Sequence, residues 1–351
     1  MSEGKVAKMS IVDRMWSFGI NKALDYLEKD PDTNIPKLLD WIDWLAPETF
    51  FPEQRMTLRQ VMTERDSNWY QMIRKIYELD EGVRKQIFSN FIINIGLTDR
   101  AGVSPGQKEG DGETPWAVHI KDGEGRDDAG GLGLDFDVLD ARIEEGMARG
   151  THIFIFFDGG DSSWRDKLIA LCNKHRGCIF SVVTTPESME VSFAEDILRV
   201  RNLIPTIRLT GSQAEWPAMD AAVAILERYR LPFGVYCSCT GDNVEAATSD
   251  DSFDRMAQWN ALYCCLQGER DVREGELPLS EEQKEMARDR VMDCRTRRPF
   301  YPVWHWSGDP LFMNRNGGEA QMWGEAGDWW QTIGELLNSS ESEPLTVAED
   351  L

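Results

Sequence analysis

Residues 151–183 read THIFIFFDGGDSSWRDKLIALCNKHRGCIFSVV, and the fold turns on how this stretch is parsed. THIFIFF is too short and too rich in β-branched and aromatic residues for a helix, and reads as a strand buried on both faces. SWRDKLIALCNKH spaces its apolar residues at helical intervals, and CIFSVV is again a buried strand. Strand, helix, strand over about 30 residues is a βαβ unit, which commits the two strands to a parallel sheet.

The same rhythm extends both ways. PWAVHI (115–120) predicts a first strand and an amphipathic helix begins near Asp135. SFAEDILRVRN predicts a helix, IPTIRL (204–209) a strand, WPAMDAAVAILERYR a helix, LPFGVYCSC (231–239) a fifth strand and ALYCCL (261–266) a sixth. Residues 1–98 read as an α-helical domain, from segments such as NIPKLLDWIDWLA, NWYQMIRKIYEL and EGVRKQIFSNFIINIG. Trp41 and Trp44, three apart, share a helix face and are expected to pack in a core or domain interface. A polar, Gly-rich linker covers 99–114, the α/β barrel 115–305, a Trp/Gly-rich cap 306–337, and a polar acidic tail, expected to be disordered, 338–351.

Composition excludes several functions. With 61 acidic against 38 basic residues the formal charge is −23, which opposes a phosphate backbone, so no nucleic-acid partner is expected. No run approaches the ~18 apolar residues of a membrane span. The N-terminus lacks the apolar core of a secretory signal, so a cytoplasmic location is expected. All seven cysteines, Cys172, Cys178, Cys237, Cys239, Cys264, Cys265 and Cys294, are read as small core residues rather than disulfide partners.

Several phrases together resemble one group of radical S-adenosylmethionine proteins. KLIALCNKHRGCIF with SFAEDILRVRNLIPTIRL is similar to the segment spanning strands two to four of those barrels, and LERYRLPFGVYCSCT to strand five. ALDYLEKDPDTNIPKLLDW resembles the helical lead-in. The resemblance implies a partial (βα)6 TIM-like barrel, preceded by the helical domain, with its active site at the carboxyl ends of the strands.

The same resemblance exposes what is missing. The family carries C-x3-C-x2-C after strand one, three soft thiolates that hold a [4Fe–4S] cluster. Here that loop is KDGEGRDDAGGLGLD (121–135), shorter and without a cysteine, and no cysteine precedes Cys172. The family's Gly-Gly-Glu-Pro after strand two becomes Gly159, Gly160, Asp161 and Ser162, and its Thr-Asn-Gly-Thr becomes Thr184, Thr185, Pro186 and Glu187. A family Ser and Glu in strand four stand here as Arg208 and Thr210, which removes an anionic partner for a ribose or ammonium group.

Two functions follow. One is a pseudoenzyme without a cluster, a barrel retained to bind or scaffold a peptide or partner protein. The other is an enzyme with a repurposed pocket, holding S-adenosylmethionine or a related nucleotide through Gly159, Gly160, Asp161, Arg208 and Thr210, or a divalent metal through Asp158, Asp161 and Asp242, with Asp122, Asp127 and Asp128 nearby. A decayed homologue without activity is a third reading. No catalytic residue is assigned: there is no H-E-x-x-H, H-x-H, G-x-S-x-G or P-loop pattern, and His119 and His152 are isolated. Trp304, Trp306, Trp323, Trp329 and Trp330 are expected to cap the barrel or meet a partner chain.

Overall fold

The computed structural model describes residues 33–34, 36–37, 40, 65–94, 117–120, 136–149, 151–158, 162–268, 277–305 and 312–313. Most of the helical segment before residue 65, Trp41 and Trp44 among it, the linker, the loop 121–135 and nearly all of the C-terminal cap lie outside these residues.

Helix α1 (Asn68–Glu78) starts at Ser67, whose hydroxyl accepts from the Tyr70 N–H, and α2 (Glu81–Asn94) starts where the Asp80 carboxylate accepts from the Val83 N–H at 2.9 Å. Both are capped as the local sequence predicts. The α/β part then runs β1 (Ala117–Ile120), α3 (Phe136–Arg149), β2 (Ile153–Phe157), α4 (Ser162–Lys174), β3 (Ile179–Thr184), α5 (Val191–Val200), β4 (Leu203–Leu209), α6 (Trp216–Arg228), β5 (Gly234–Cys239), α7 (Val244–Ala247), α8 (Asp250–Gln258), β6 (Tyr263–Gly268), α9 (Glu281–Arg297), β7 (Tyr301–His305) and β8 (Phe312–Met313).

All strand pairs are parallel, in the order β7-β6-β5-β4-β3-β2-β1-β8. The order from β1 to β7 never reverses. Right-handed crossovers, nearly universal for parallel pairs, then put every intervening helix on one face and leave the other as an interior. Among the described residues β7 and β8 are unpaired with each other, so the sheet is an incomplete barrel. The six expected strands are all present. Two more extend them: β7 beside β6, and β8, which returns to pair with β1 through His119↔Phe312 and Ile120↔Met313. Pro302 in β7 sits on the sheet's end strand, where its missing N–H costs no ladder bond.

The main core lies between sheet and helices. Phe154, Phe156, Phe180, Val182, Leu203, Ile207, Leu209, Val235, Leu266 and their helix partners Leu168, Leu171, Phe193, Ile197 and Met219 are all buried there. Phe156 meets the Trp164 indole edge-on at 5.5 Å between centroids. Asn202, fully buried at the turn into β4, donates to the carbonyls of Cys172, His175 and Cys178 at 3.1, 3.2 and 3.1 Å, so one amide closes the α4–β3 connection onto the next strand.

Helices α1 and α2 meet the amino-terminal end of the barrel. The Asn90 amide donates to the carbonyls of Arg176 and Cys178, just before β3. Asp80 N–H donates to Arg230 O, just before β5, and Arg230 returns bonds to the carbonyls of Glu78 and Leu79. Lys75 reaches the Ala257 carbonyl ahead of β6. Ile87 of α2 packs with Ile153, Ile155, Ile179 and Ile204. Helix α2 is therefore the floor of the barrel.

Candidate functional site

Side chains alternate across a strand, so residues in step with Ile153 and Thr206 line the interior, while Phe154, Ile207 and Cys237 face the helices. Above the isoleucine floor comes a layer of hydroxyls. Ser181 Oγ and Thr206 Oγ1 are 2.8 Å apart, and Thr206 Oγ1 lies 2.6 Å from the Tyr263 hydroxyl. The Tyr263 ring crosses β5 at Gly234, where a Cβ would fall 2.2 Å from Cε2. Burial, with the neighbouring Cys265 adding to it, pushes the Tyr263 phenol up to about 12, so it stays protonated at neutral pH.

The next layer opens toward the carboxyl ends of the strands. Phe157 and Tyr236 meet edge-to-face with centroids 5.4 Å apart, and the Tyr236 hydroxyl donates to Gln267 Oε1 at 3.0 Å. Arg208 is in register with Tyr236 and is exposed, two residues beyond the buried Thr206 on the same face. At the rim the Thr184 hydroxyl donates to Asp158 Oδ2 at 2.7 Å. The Thr210 N–H donates to Glu215 Oε2 at 2.7 Å, and the Thr210 carbonyl accepts from the Asn243 amide at 3.0 Å. Asn243 also donates to Ser238 O, which ties the loop after β4 to the loop after β5.

Of the residues expected to hold a cosubstrate, Arg208 and Thr210 come to this mouth, while Gly159, Gly160 and Asp161 lie outside the described residues. The Thr210 backbone is taken up within the chain. Of the proposed metal carboxylates only Asp158 and Asp242 are among the described residues. Asp158 is bonded by Thr184, Asp242 accepts from the Leu277 N–H at 3.0 Å, and Asp122, Asp127, Asp128 and Asp161 lie outside the described residues. The one group of three metal-ligating side chains among the described residues is Asp140, Glu144 and His175, on the outer helix layer. There the Lys174 ammonium pairs with both carboxylates, and His175 Nε2 lies 2.7 Å from Asp140 Oδ1. That is a complete local ion network.

The cysteines divide by face. Cys172, Cys178, Cys237, Cys239, Cys264 and Cys294 belong to the helix-side core, and Cys265 alone stands on the interior face. Burial raises the thiols of Cys178, Cys265 and Cys294 to about 12 and those of Cys172 and Cys264 well above their usual value. A [4Fe–4S] cluster needs three thiolates converging on one cavity, and these seven positions do not fit it.

Sequence reading missed Tyr236, Gln267, Tyr263 and Gly234 as interior residues. Alternation in GVYCSC and YCCLQG carried the signal, because in both strands the polar residues fall on one face. Trp304 is on β7 in register with Leu266. Trp306, Trp323, Trp329 and Trp330 lie outside the described residues.

No family model matches the chain, and no curated protein does. Solved structures give weak likenesses. SuiB of Streptococcus suis bound to S-adenosylmethionine is 10% identical with a TM-score of 0.43, over 66% of this chain and 66% of that one, just under two thirds of its length. SuiB bound to the precursor peptide SuiA gives 9% and 0.40 over 54% and 49%. A Bacteroides thetaiotaomicron VPI-5482 protein assigned as an alpha-L-fucosidase gives 12% and 0.36 over 67% and 99%. Values at this level assign neither family nor chemistry. No described helix is long and apolar enough to cross a membrane.

Proposed function

We propose that the chain is a cluster-free barrel of the radical S-adenosylmethionine type, a pseudoenzyme whose mouth binds a peptide or partner protein. The carrying observation is the placement of the thiols. Six lie in the helix-side core, and the seventh, Cys265, is alone on the interior face with its thiol raised to about 12. Three soft anionic ligands are thus not available together at the strand ends, which supports reading the barrel without a cluster. Nor do the described mouth residues form a poised acid–base pair: Tyr263 is protonated, and Asp158 is bonded by Thr184.

A second reading, a pocket repurposed for a small ligand, is favoured by one residue. The Arg208 guanidinium reaches the interior face near its open end. It suits an anionic ligand and opposes the sulfonium and ammonium of S-adenosylmethionine.

The test is a calorimetric titration of S-adenosylmethionine into the purified chain, with and without Mg2+. The proposal expects no saturable heat at millimolar ligand. Micromolar saturable binding would overturn it in favour of a working cosubstrate pocket.

A further inference from the structure

We propose that the barrel mouth is an anion seat, built on Arg208 with Gln267 as a second donor, for a ligand that presents a carboxylate or phosphate. This rests on the reading above that the mouth is the binding site, and it specifies what the mouth binds.

Arg208 has its place fixed by its neighbours on β4. Thr206 is committed to the interior by its bonds to Ser181 and Tyr263, and Ile207 and Leu209 are buried in the helix-side core. Alternation therefore sends Arg208 inward, at the second-last residue of the strand. Two strands away, Gln267 is the second-last residue of β6 and only 9% exposed. Its Oε1 is occupied by the Tyr236 hydroxyl, which leaves its amide N–H2 as the donating end. Arg208 is level with Tyr236 and Cys265, and Gln267 stands two residues nearer the mouth on β6, so across two strand spacings of about 10 Å in all the two long side chains flank Tyr236 diagonally and can reach one anionic group between them.

The state of the surrounding charges gives the second, independent observation. Among the described residues, three acidic side chains of the rim are held by the chain's own donors: Asp158 by the Thr184 hydroxyl, Glu215 by the Thr210 N–H and Asp242 by the Leu277 N–H. Arg208 makes no ion pair or side-chain hydrogen bond among the described residues. In a chain with 61 acidic and 38 basic residues, an inward cation without a partner among the described residues, beside described carboxylates that are held elsewhere, suits an anion. Guanidinium also matches carboxylate and phosphate oxygens two at a time, which a point charge does not.

The test titrates ADP and, separately, glutarate into the full chain at fixed ionic strength, beside Arg208→Gln, Arg208→Lys and Gln267→Leu variants. Arg208 is exposed and bonded to nothing described, so Arg208→Gln should melt with the parent; a matching thermal midpoint confirms that it folds. Saturable binding of either anion is expected, weakened about tenfold or more by Arg208→Gln, since a charged hydrogen bond is worth that much. Arg208→Lys should lose part of this and Gln267→Leu less. Binding of ADP alone marks a phosphate ligand, and binding of glutarate alone a carboxylate such as an acidic peptide end. Absence of binding by both anions, or binding that Arg208→Gln leaves unchanged, overturns the anion seat. S-adenosylmethionine run in parallel separates the two claims: no saturable heat is expected from it with the parent or with Arg208→Gln, and its saturable binding would overturn the cluster-free reading while the ADP and glutarate titrations still decide the anion seat.

Discussion

The ring of Tyr263 lies across Gly234 of the neighbouring strand, and a Cβ at Gly234 would come within 2.2 Å of its Cε2. The glycine is there because the tyrosine must pass over it to reach Thr206, 2.6 Å from its hydroxyl. Gly234→Ala should therefore destabilise the protein by about 1–3 kcal/mol through overpacking. Tyr263→Val in the same chain should recover part of the loss, which denaturant melts of the single and double variants would show. Additive losses would mean that the two positions are not in contact.

Asn202 offers a stability test far from the mouth. Its buried amide serves three carbonyls on the α4–β3 connection. Asn202→Ala should cost about 2–4 kcal/mol, because it removes three buried hydrogen bonds and opens a small void. A loss below about 0.5 kcal/mol in urea melts would show that these bonds are replaced by water.

His152, at the entry to β2, sets a pH dependence. Burial pushes its imidazole down from 6.5 to about 4, and its buried Nδ1 has no partner among the described residues. The unfolded chain thus binds the proton more readily between those values. Stability should be complete above the unfolded value and fall as pH drops from about 6.5 toward 4, by about 3 kcal/mol in all from this group. His152→Leu should flatten that part of the stability profile. An unchanged slope would place the titration elsewhere.

The thiols should be quiet. Burial raises Cys172, Cys178, Cys264, Cys265 and Cys294 above the usual thiol value, so little thiolate exists near neutrality. Iodoacetamide at pH 7.5 should label these five slowly in the native protein, and all seven should be modified after denaturation. Rapid native labelling of Cys265, read by mass spectrometry, would contradict its placement inside the barrel.

Buried strands were the most legible part of the sequence, because runs such as THIFIFF and CIFSVV are mostly apolar and alternate with helical periods. Helices α1 and α2 were legible for the same reason. Helices α8 and α9 are too polar to announce themselves by apolar spacing, although each carries a cap, Ser249 with Asp250 and Asp251, and Ser280 with Gln283 in a capping box. Strand β7 was hidden because YPVWH contains a proline that only an end strand tolerates. At the site, Arg208 and Thr210 were found through resemblance. Tyr263, Gly234 and Gln267 become visible only when strand register brings β4, β5 and β6 side by side.

Iron and sulfide content after anaerobic reconstitution, with electron paramagnetic resonance of the reduced sample, tests most directly whether this barrel carries an iron–sulfur cluster. A barrel without a cluster gives substoichiometric iron, no charge-transfer absorption from thiolate-bound iron and no cluster signal. A stoichiometric [4Fe–4S] cluster, lost on replacing the three or four cysteines that ligate it, would contradict this.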